Sequence, residues 1–215
     1  MSALDLHGHK WIPAERPGLP TLLLLHGTGG DESDLLPLGR TLLSGAALLS
    51  PRGNVLEHGA PRFFRRLAEG VFDIEDLHKR TAELADFLEA AAERYGFSAN
   101  EVYAVGYSNG ANIAASLLLT RPTALSGGVL FRAMVPFESN RMPLLRGKRV
   151  LISAGRQDQM ISAAGTERLA SILREAGAEI QLEWQPAGHG LIAADVDAGQ
   201  RFFQAVAAAP VGPTS

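Results

Sequence analysis

The chain has 215 residues, 46% hydrophobic and 20% charged, a balance that suits one folded domain and excludes wholesale disorder and fibrous architectures. Lys and Arg total 20 against 23 Asp and Glu, and the formal charge of −3 leaves no basic footprint for nucleic acid or an anionic membrane. Cysteine is absent, which excludes disulfides, thiolate metal sites and a cysteine nucleophile.

In chain order, Met1–Lys10 carries Asp5 and two histidines and lacks a signal peptide's apolar run. No apolar stretch reaches the roughly 18 residues a membrane span needs, so a cytoplasmic protein without integral membrane association is expected. A weak first strand falls around Leu6–Ile12, diluted by His7, His9 and Lys10. His7-Gly8-His9 could set two imidazoles on one face, but no carboxylate completes a metal site, so it reads as a surface strand. Thr21–Leu25 and Ala46–Ser50 are short apolar strands. Pro51 to Asp73 then breaks the rhythm as a long connection without clear secondary structure, the usual form of a binding loop. Its Phe63, Phe64 and Phe72 either line an acyl pocket or pin the loop to the body, and Arg65-Arg66 reads as a solvated pair.

Asp76–Tyr95 places Leu77, Leu84, Phe87 and Leu88 at helical spacing, with Gly96 as a stop. Val102–Gly106 is a strand, and Asn109–Thr120 a helix ending before Arg121-Pro122. The strand Gly127–Phe131 leads to Arg132, Met134 and Phe137, of which Met134 and Phe137 are candidates for touching substrate. Only Arg132 to Arg149 separates this strand from the next, Val150–Ala154, too little for a substantial helical lid. Ala164–Ala176 is a helix with Leu169, Ile172 and Leu173 on one face, followed by Gly177. The strand Ile180–Gln185, a helix over about Val196–Ala208 and a frayed tail, Pro210–Ser215, complete the chain. Strand–helix alternation of this kind means an α/β fold, one domain over 1–209, with a mostly parallel sheet and helices on both faces.

Gly106-Tyr107-Ser108-Asn109-Gly110 matches G-x-S-x-G where the strand Val102–Gly106 meets the helix Asn109–Thr120. Strand, turn and helix in that order form a nucleophile elbow, which presents the serine on a strained turn beside the positive end of a helix. The plain alternative is a tight glycine turn with a capping serine. An elbow serine takes its acid and then its histidine from later in the chain. After Ser108 there is one histidine, His189, and one aspartate between them, Asp158. Each falls just past the C-terminal end of a strand, where sites lie in open parallel sheets. A serine hydroxyl is a poor nucleophile until a base takes its proton, and a carboxylate fixes and supports that base. The glycine-rich turn His26-Gly27-Thr28-Gly29-Gly30 after the first apolar strand points to backbone N–H donors for an oxyanion at Thr28 and Asn109. Nucleotide-binding glycine patterns are absent from it, and His26 reads as structural.

His26-Gly27-Thr28-Gly29-Gly30, Gly106-Tyr107-Ser108-Asn109-Gly110, Gly155–Asp158 and Gly188-His189-Gly190 resemble the phospholipase/carboxylesterase group of α/β-hydrolases. That group includes small bacterial carboxylesterases and the acyl-protein thioesterases. The resemblance spans about Leu22 to Leu191, and Thr28-Gly29-Gly30-Asp31-Glu32 looks more like the bacterial branch, since the thioesterases usually carry Gly-Leu-Gly-Asp there. It implies a single α/β-hydrolase domain with little or no lid, and a cofactor-free serine esterase using Ser108, Asp158 and His189. Dienelactone hydrolases are similar in size but use a cysteine nucleophile, which this sequence lacks.

The expected activity is hydrolysis of short-chain carboxylic esters through an acyl-enzyme. Thioesterase, lysophospholipase or C–C cleavage on the same triad, and a non-catalytic binding protein on the same fold, remain as alternatives. The expected partner is a small-molecule ester, with no nucleic acid; a homodimer is the assembly considered.

Overall fold

A computed structural model of the chain describes residues 2–138 and 143–209, so the expected tail Pro210–Ser215 lies outside the described residues. The chain runs through strands β1 (His9–Ile12) and β2 (Thr21–Leu25), helix α1 (Leu36–Leu42) and strand β3 (Leu48–Pro51). Four short strands follow: β4 (Val55–Glu57), β5 (Ala60–Arg62), β6 (Arg66–Ala68) and β7 (Val71–Phe72). Then come α2 (Ile74–Tyr95), β8 (Val102–Tyr107), α3 (Asn109–Thr120), β9 (Gly127–Phe131), β10 (Arg149–Gly155), α4 (Ala163–Glu175), β11 (Glu179–Gln185) and α5 (Ala193–Ala207).

Seven strands form one sheet in the order β1-β3-β2-β8-β9-β10-β11. Only β1 pairs antiparallel, with β3, and every other pairing is parallel. This is the α/β-hydrolase architecture that the sequence predicts. The apolar strands owe their composition to cover on both faces: Leu22 to Leu25 of β2 are all fully buried. Side chains alternate between the layers. Leu22 and Leu24 join Leu36, Phe202 and Phe203 of α1 and α5, whereas Leu23 and Leu25 join Leu84, Phe87 and Leu117 of α2 and α3. Each fully buried leucine or phenylalanine contributes about 1.5–3 kcal/mol of transfer free energy. The sheet ends in two edges, β1 and β11, and along β11 Glu179 and Gln181 stand exposed.

Local chemistry fixes the helix ends. Asp73 caps α2 by accepting the Asp76 N–H at 3.0 Å. Gly96 closes it at φ 73°, with its N–H on the Ala92 carbonyl at 2.9 Å. None of the helices among the described residues is long and apolar enough to cross a membrane.

Three sequence expectations are corrected. The first strand is shorter than Leu6–Ile12, because Ala3–Leu6 is a 3₁₀ turn and β1 starts at His9. His7 is no surface residue: it is 3% exposed and packs edge-on against Phe87. The connection Pro51–Asp73 is not irregular, since β4–β5 and β6–β7 are two small antiparallel hairpins. The helix α1 has no counterpart among the sequence expectations. In the connection 132–149, residues 139–142 lie outside the described residues, and no helix occurs in the rest.

Candidate active site

The strand β8 delivers Ser108 to the C-terminal edge of the sheet in a conformation few side chains adopt, φ 52° and ψ −113°. Such a conformation costs about 1–3 kcal/mol and persists only when its surroundings hold it. Here the Ser108 N–H donates to the Phe131 carbonyl at 2.9 Å, and its carbonyl accepts the Asn112 N–H at 3.0 Å. The flanking glycines permit the close approach. A Cβ on Gly106 would stand 2.6 Å from Ala111 Cα, and one on Gly110 would stand 1.9 Å from the Leu25 carbonyl oxygen. Only hydrogen fits at either place.

His189, on the loop after β11, reaches Ser108 Oγ with Nε2 at 2.9 Å and Asp158 Oδ2 with Nδ1 at 2.8 Å. An ionised carboxylate only accepts, so the proton sits on Nδ1 and Nε2 is left to accept from the serine hydroxyl. Asp158 follows β10, and its side chain is 2% exposed, against 22% for that of His189. Its other oxygen, Oδ1, accepts the N–H groups of Met160 at 2.9 Å and Ile161 at 3.1 Å. The carboxylate is thereby fixed from one side and the imidazole from the other.

Thr28 and Asn109 both border the cleft beside Ser108. Asn109 opens α3, so its N–H has no acceptor within the helix. The Thr28 N–H has no acceptor among the described residues. Both positions are braced by the β5 end of the hairpin. Arg62 donates to Thr28 Oγ1 at 2.8 Å, the Gly29 N–H reaches the Pro61 carbonyl at 2.9 Å, and the Phe63 N–H reaches Asn109 Oδ1 at 2.8 Å. His26 is structural, as its place in the turn suggests. Its Nε2 accepts the Gly53 N–H at 2.9 Å, so Nδ1 donates to the Gly27 carbonyl at 2.7 Å. Burial pushes its pKa below the ordinary imidazole value.

The cleft over Ser108 is open to solvent and holds a cavity of about 50 Å³. Phe72 and Met134 line it, as the sequence suggests, together with Met160, Ile161 and Asn112. Phe63, Phe64 and Phe137 do not. Phe63 and Phe64 are fully buried in the core shared with α2 and α3, where they pin the hairpins down. Phe137 sets its ring against His78, centroids 4.6 Å apart. Arg65 and Arg66 are not a solvated pair. Arg65 is exposed, but Arg66 lines the cleft and donates to Glu57 at 2.9 Å. Arg62 also borders the cleft, paired with Glu57 at 3.1 Å, and burial lowers its pKa. Sequence reasoning missed Arg62, Asn112, Met160 and Ile161. The position of the last two, two and three residues after Asp158, is the one signal that could have found them.

A group of three or more side chains able to hold a metal ion does not occur among the described residues. The arrangement can activate a hydroxyl, carry a proton between two oxygens, and offer N–H groups to a charge developing beside Ser108.

The sequence matches the dienelactone hydrolase family over residues 60–210. The match extends to a chain without cysteine, so the absence of that residue does not set the chain apart as the sequence reading expects. The protein MhqD of Bacillus subtilis (strain 168) is 48% identical over 183 residues, covering 85% of this chain and 92% of MhqD. The crystal structure of the Bacillus cereus carboxylesterase superposes with a TM-score of 0.90 at 48% identity, covering 91% of this chain and 92% of that one. A carboxylesterase from Mesorhizobium loti gives 0.84 at 31% identity, covering 88% and 90%.

Proposed function

The chain belongs to the dienelactone hydrolase family, and from that premise we propose that it is a serine carboxylesterase acting on short-chain esters through an acyl-enzyme. One observation carries the reading: the unbroken line of hydrogen bonds from Asp158 through His189 to Ser108 Oγ, 2.8 and 2.9 Å long. The likeness to two carboxylesterases supports the choice of a carboxylic ester.

Ser108 Oγ attacks the ester carbonyl while His189 Nε2 takes its proton. The carbonyl oxygen becomes an oxyanion beside the N–H groups of Thr28 and Asn109, each such donor being worth about 10²–10³ in rate. The imidazolium, supported by Asp158, gives the proton to the departing alcohol, which leaves the acyl group on Ser108. Water then enters, His189 accepts its proton, and the second tetrahedral intermediate collapses to release the acid and restore Ser108. Phe72, Met134, Met160 and Ile161 offer the acyl chain an apolar wall, and the small cavity of about 50 Å³ supports a short acyl chain.

The test is a panel of esters, thioesters and lysolipids against the parent and Ser108→Ala. Ester turnover that falls on the order of 10³-fold or more in the variant supports the reading. Unchanged turnover defeats it, and a preference for thioesters transfers the triad to the thioesterase alternative.

A further inference from the structure

Arg132 leaves β9 at φ 55° and buries its guanidinium completely. All five of its N–H groups are used. Two meet the Asp195 carboxylate at 2.7 and 2.8 Å, and one the Ser153 carbonyl at 3.1 Å. The remaining two reach the carbonyls of Gly188 at 3.0 Å and Gly190 at 2.8 Å, the two residues that flank His189. We propose that Arg132, oriented by Asp195, is the positioning residue that fixes His189 over Ser108, an inference that rests on His189 being the base.

A loop of the form Gly188-His189-Gly190 has wide backbone freedom and no side chain of its own, besides the imidazole, to settle its place. The restraint therefore comes from outside it. A single planar cation grips the peptide on each side of His189, and the Tyr107 hydroxyl holds the carbonyl between them at 3.2 Å. The fork geometry matters here, because a lysine would bring three donors on a flexible point charge in place of five in a fixed plane. Asp195 supplies the counter-charge and the orientation. Its carboxylate also accepts from Ser153 Oγ at 2.6 Å and from the Ile192 N–H at 2.9 Å, so the anchor is itself anchored. Burial raises the Asp195 pKa, but these bonds and the guanidinium outweigh it and hold the carboxyl below its ordinary range. A buried ion pair adds little net stability compared with apolar residues of the same volume. What this pair adds is the setting of a loop.

Steady-state kinetics and Tm of Arg132→Lys, with Asp195→Asn measured in its place should the lysine variant not fold, test the proposal. The control is Leu88→Ala, a buried change on α2 that destabilises without touching the loop. A displaced imidazole should lower kcat by about 10- to 100-fold with KM within about twofold, since ångström errors in placement act on the chemical step. The control, at a comparable loss of Tm, should keep kcat within about twofold. A folded clamp variant with parental kcat overturns the proposal, as does a control that loses kcat in proportion to its Tm. Turnover retained in Ser108→Ala would instead remove the reading of His189 on which the proposal stands.

Discussion

Phe63 donates its backbone N–H to the side-chain carbonyl of Asn109 at 2.8 Å, across 46 positions of sequence. The bond ties the hairpin segment to the first residue of α3, the residue whose own N–H faces the proposed oxyanion. In Asn109→Ala the backbone donor remains, but the Phe63 N–H is left buried without an acceptor. The expected loss is about 1–3 kcal/mol of stability by denaturant titration. A kcat reduction should accompany it, as the turn loses its brace, and a variant as stable as the parent would show that the bond is not needed.

Asp158→Asn should fold and fail in turnover. An amide oxygen still accepts the Met160 and Ile161 N–H groups, so the loop is kept, but an amide nitrogen facing His189 Nδ1 forces the other tautomer. The proton then sits on Nε2, where it cannot come from serine. A loss of about 10³–10⁴ in kcat with little change in Tm is expected. A variant within tenfold of the parent would contradict the assignment.

Acid should destabilise the fold through two buried histidines. Burial lowers the pKa of both His7 and His26 from the ordinary 6.5, against smaller raising effects from their carbonyl partners. The unfolded chain then binds protons that the folded chain refuses. Stability is complete above about 6.5, falls as the pH drops below it, and levels off below the folded values. Urea midpoints taken between about pH 7.5 and pH 5 should decrease. His7→Gln should flatten part of that slope, and a midpoint rising on acidification would contradict the argument.

Two phenylalanines should separate affinity from stability. Phe72→Ala removes part of the cleft wall and should raise KM most for the longer esters it still accepts. Phe64→Ala opens a hole in the core, at about 3–5 kcal/mol, without changing chain-length preference. For nitrophenyl esters from acetate to palmitate, kcat/KM should rise while each methylene gains about 0.8 kcal/mol of burial, then stop. A maximum at ten carbons or beyond would contradict the short-chain reading.

The strands and long helices were legible because burial on both sheet faces leaves apolar runs, and α2 and α4 carry a helical period. Ser108, Asp158 and His189 could be singled out because the chain offers so few alternatives after the elbow. What lay beyond reach depends on tertiary contact. The helix α1 is only seven residues long, and although Pro37 suits its first turn, Gly39 breaks any helical pattern in the sequence; it packs where Gly39 lets Leu24 and Leu48 approach. Strands of two or three residues, as in β4 to β7, are too short to show a period. Phe63 and Phe72 look alike in sequence, but Phe63, just after β5, is fully buried, whereas Phe72, on β7, borders the cleft. Arg132 and Asp195 are 63 positions apart, and no spacing rule joins them.

The bare edge of β11 bears on self-association. An exposed edge invites a strand from another molecule, and natural proteins blunt such edges with charge. If a second copy added its β11 antiparallel about Gln181, Glu179 of each would lie opposite Glu183 of the other. Like charges set face to face across a strand pair are destabilising. Strand addition in that register is therefore discouraged by the side chains that decorate this edge.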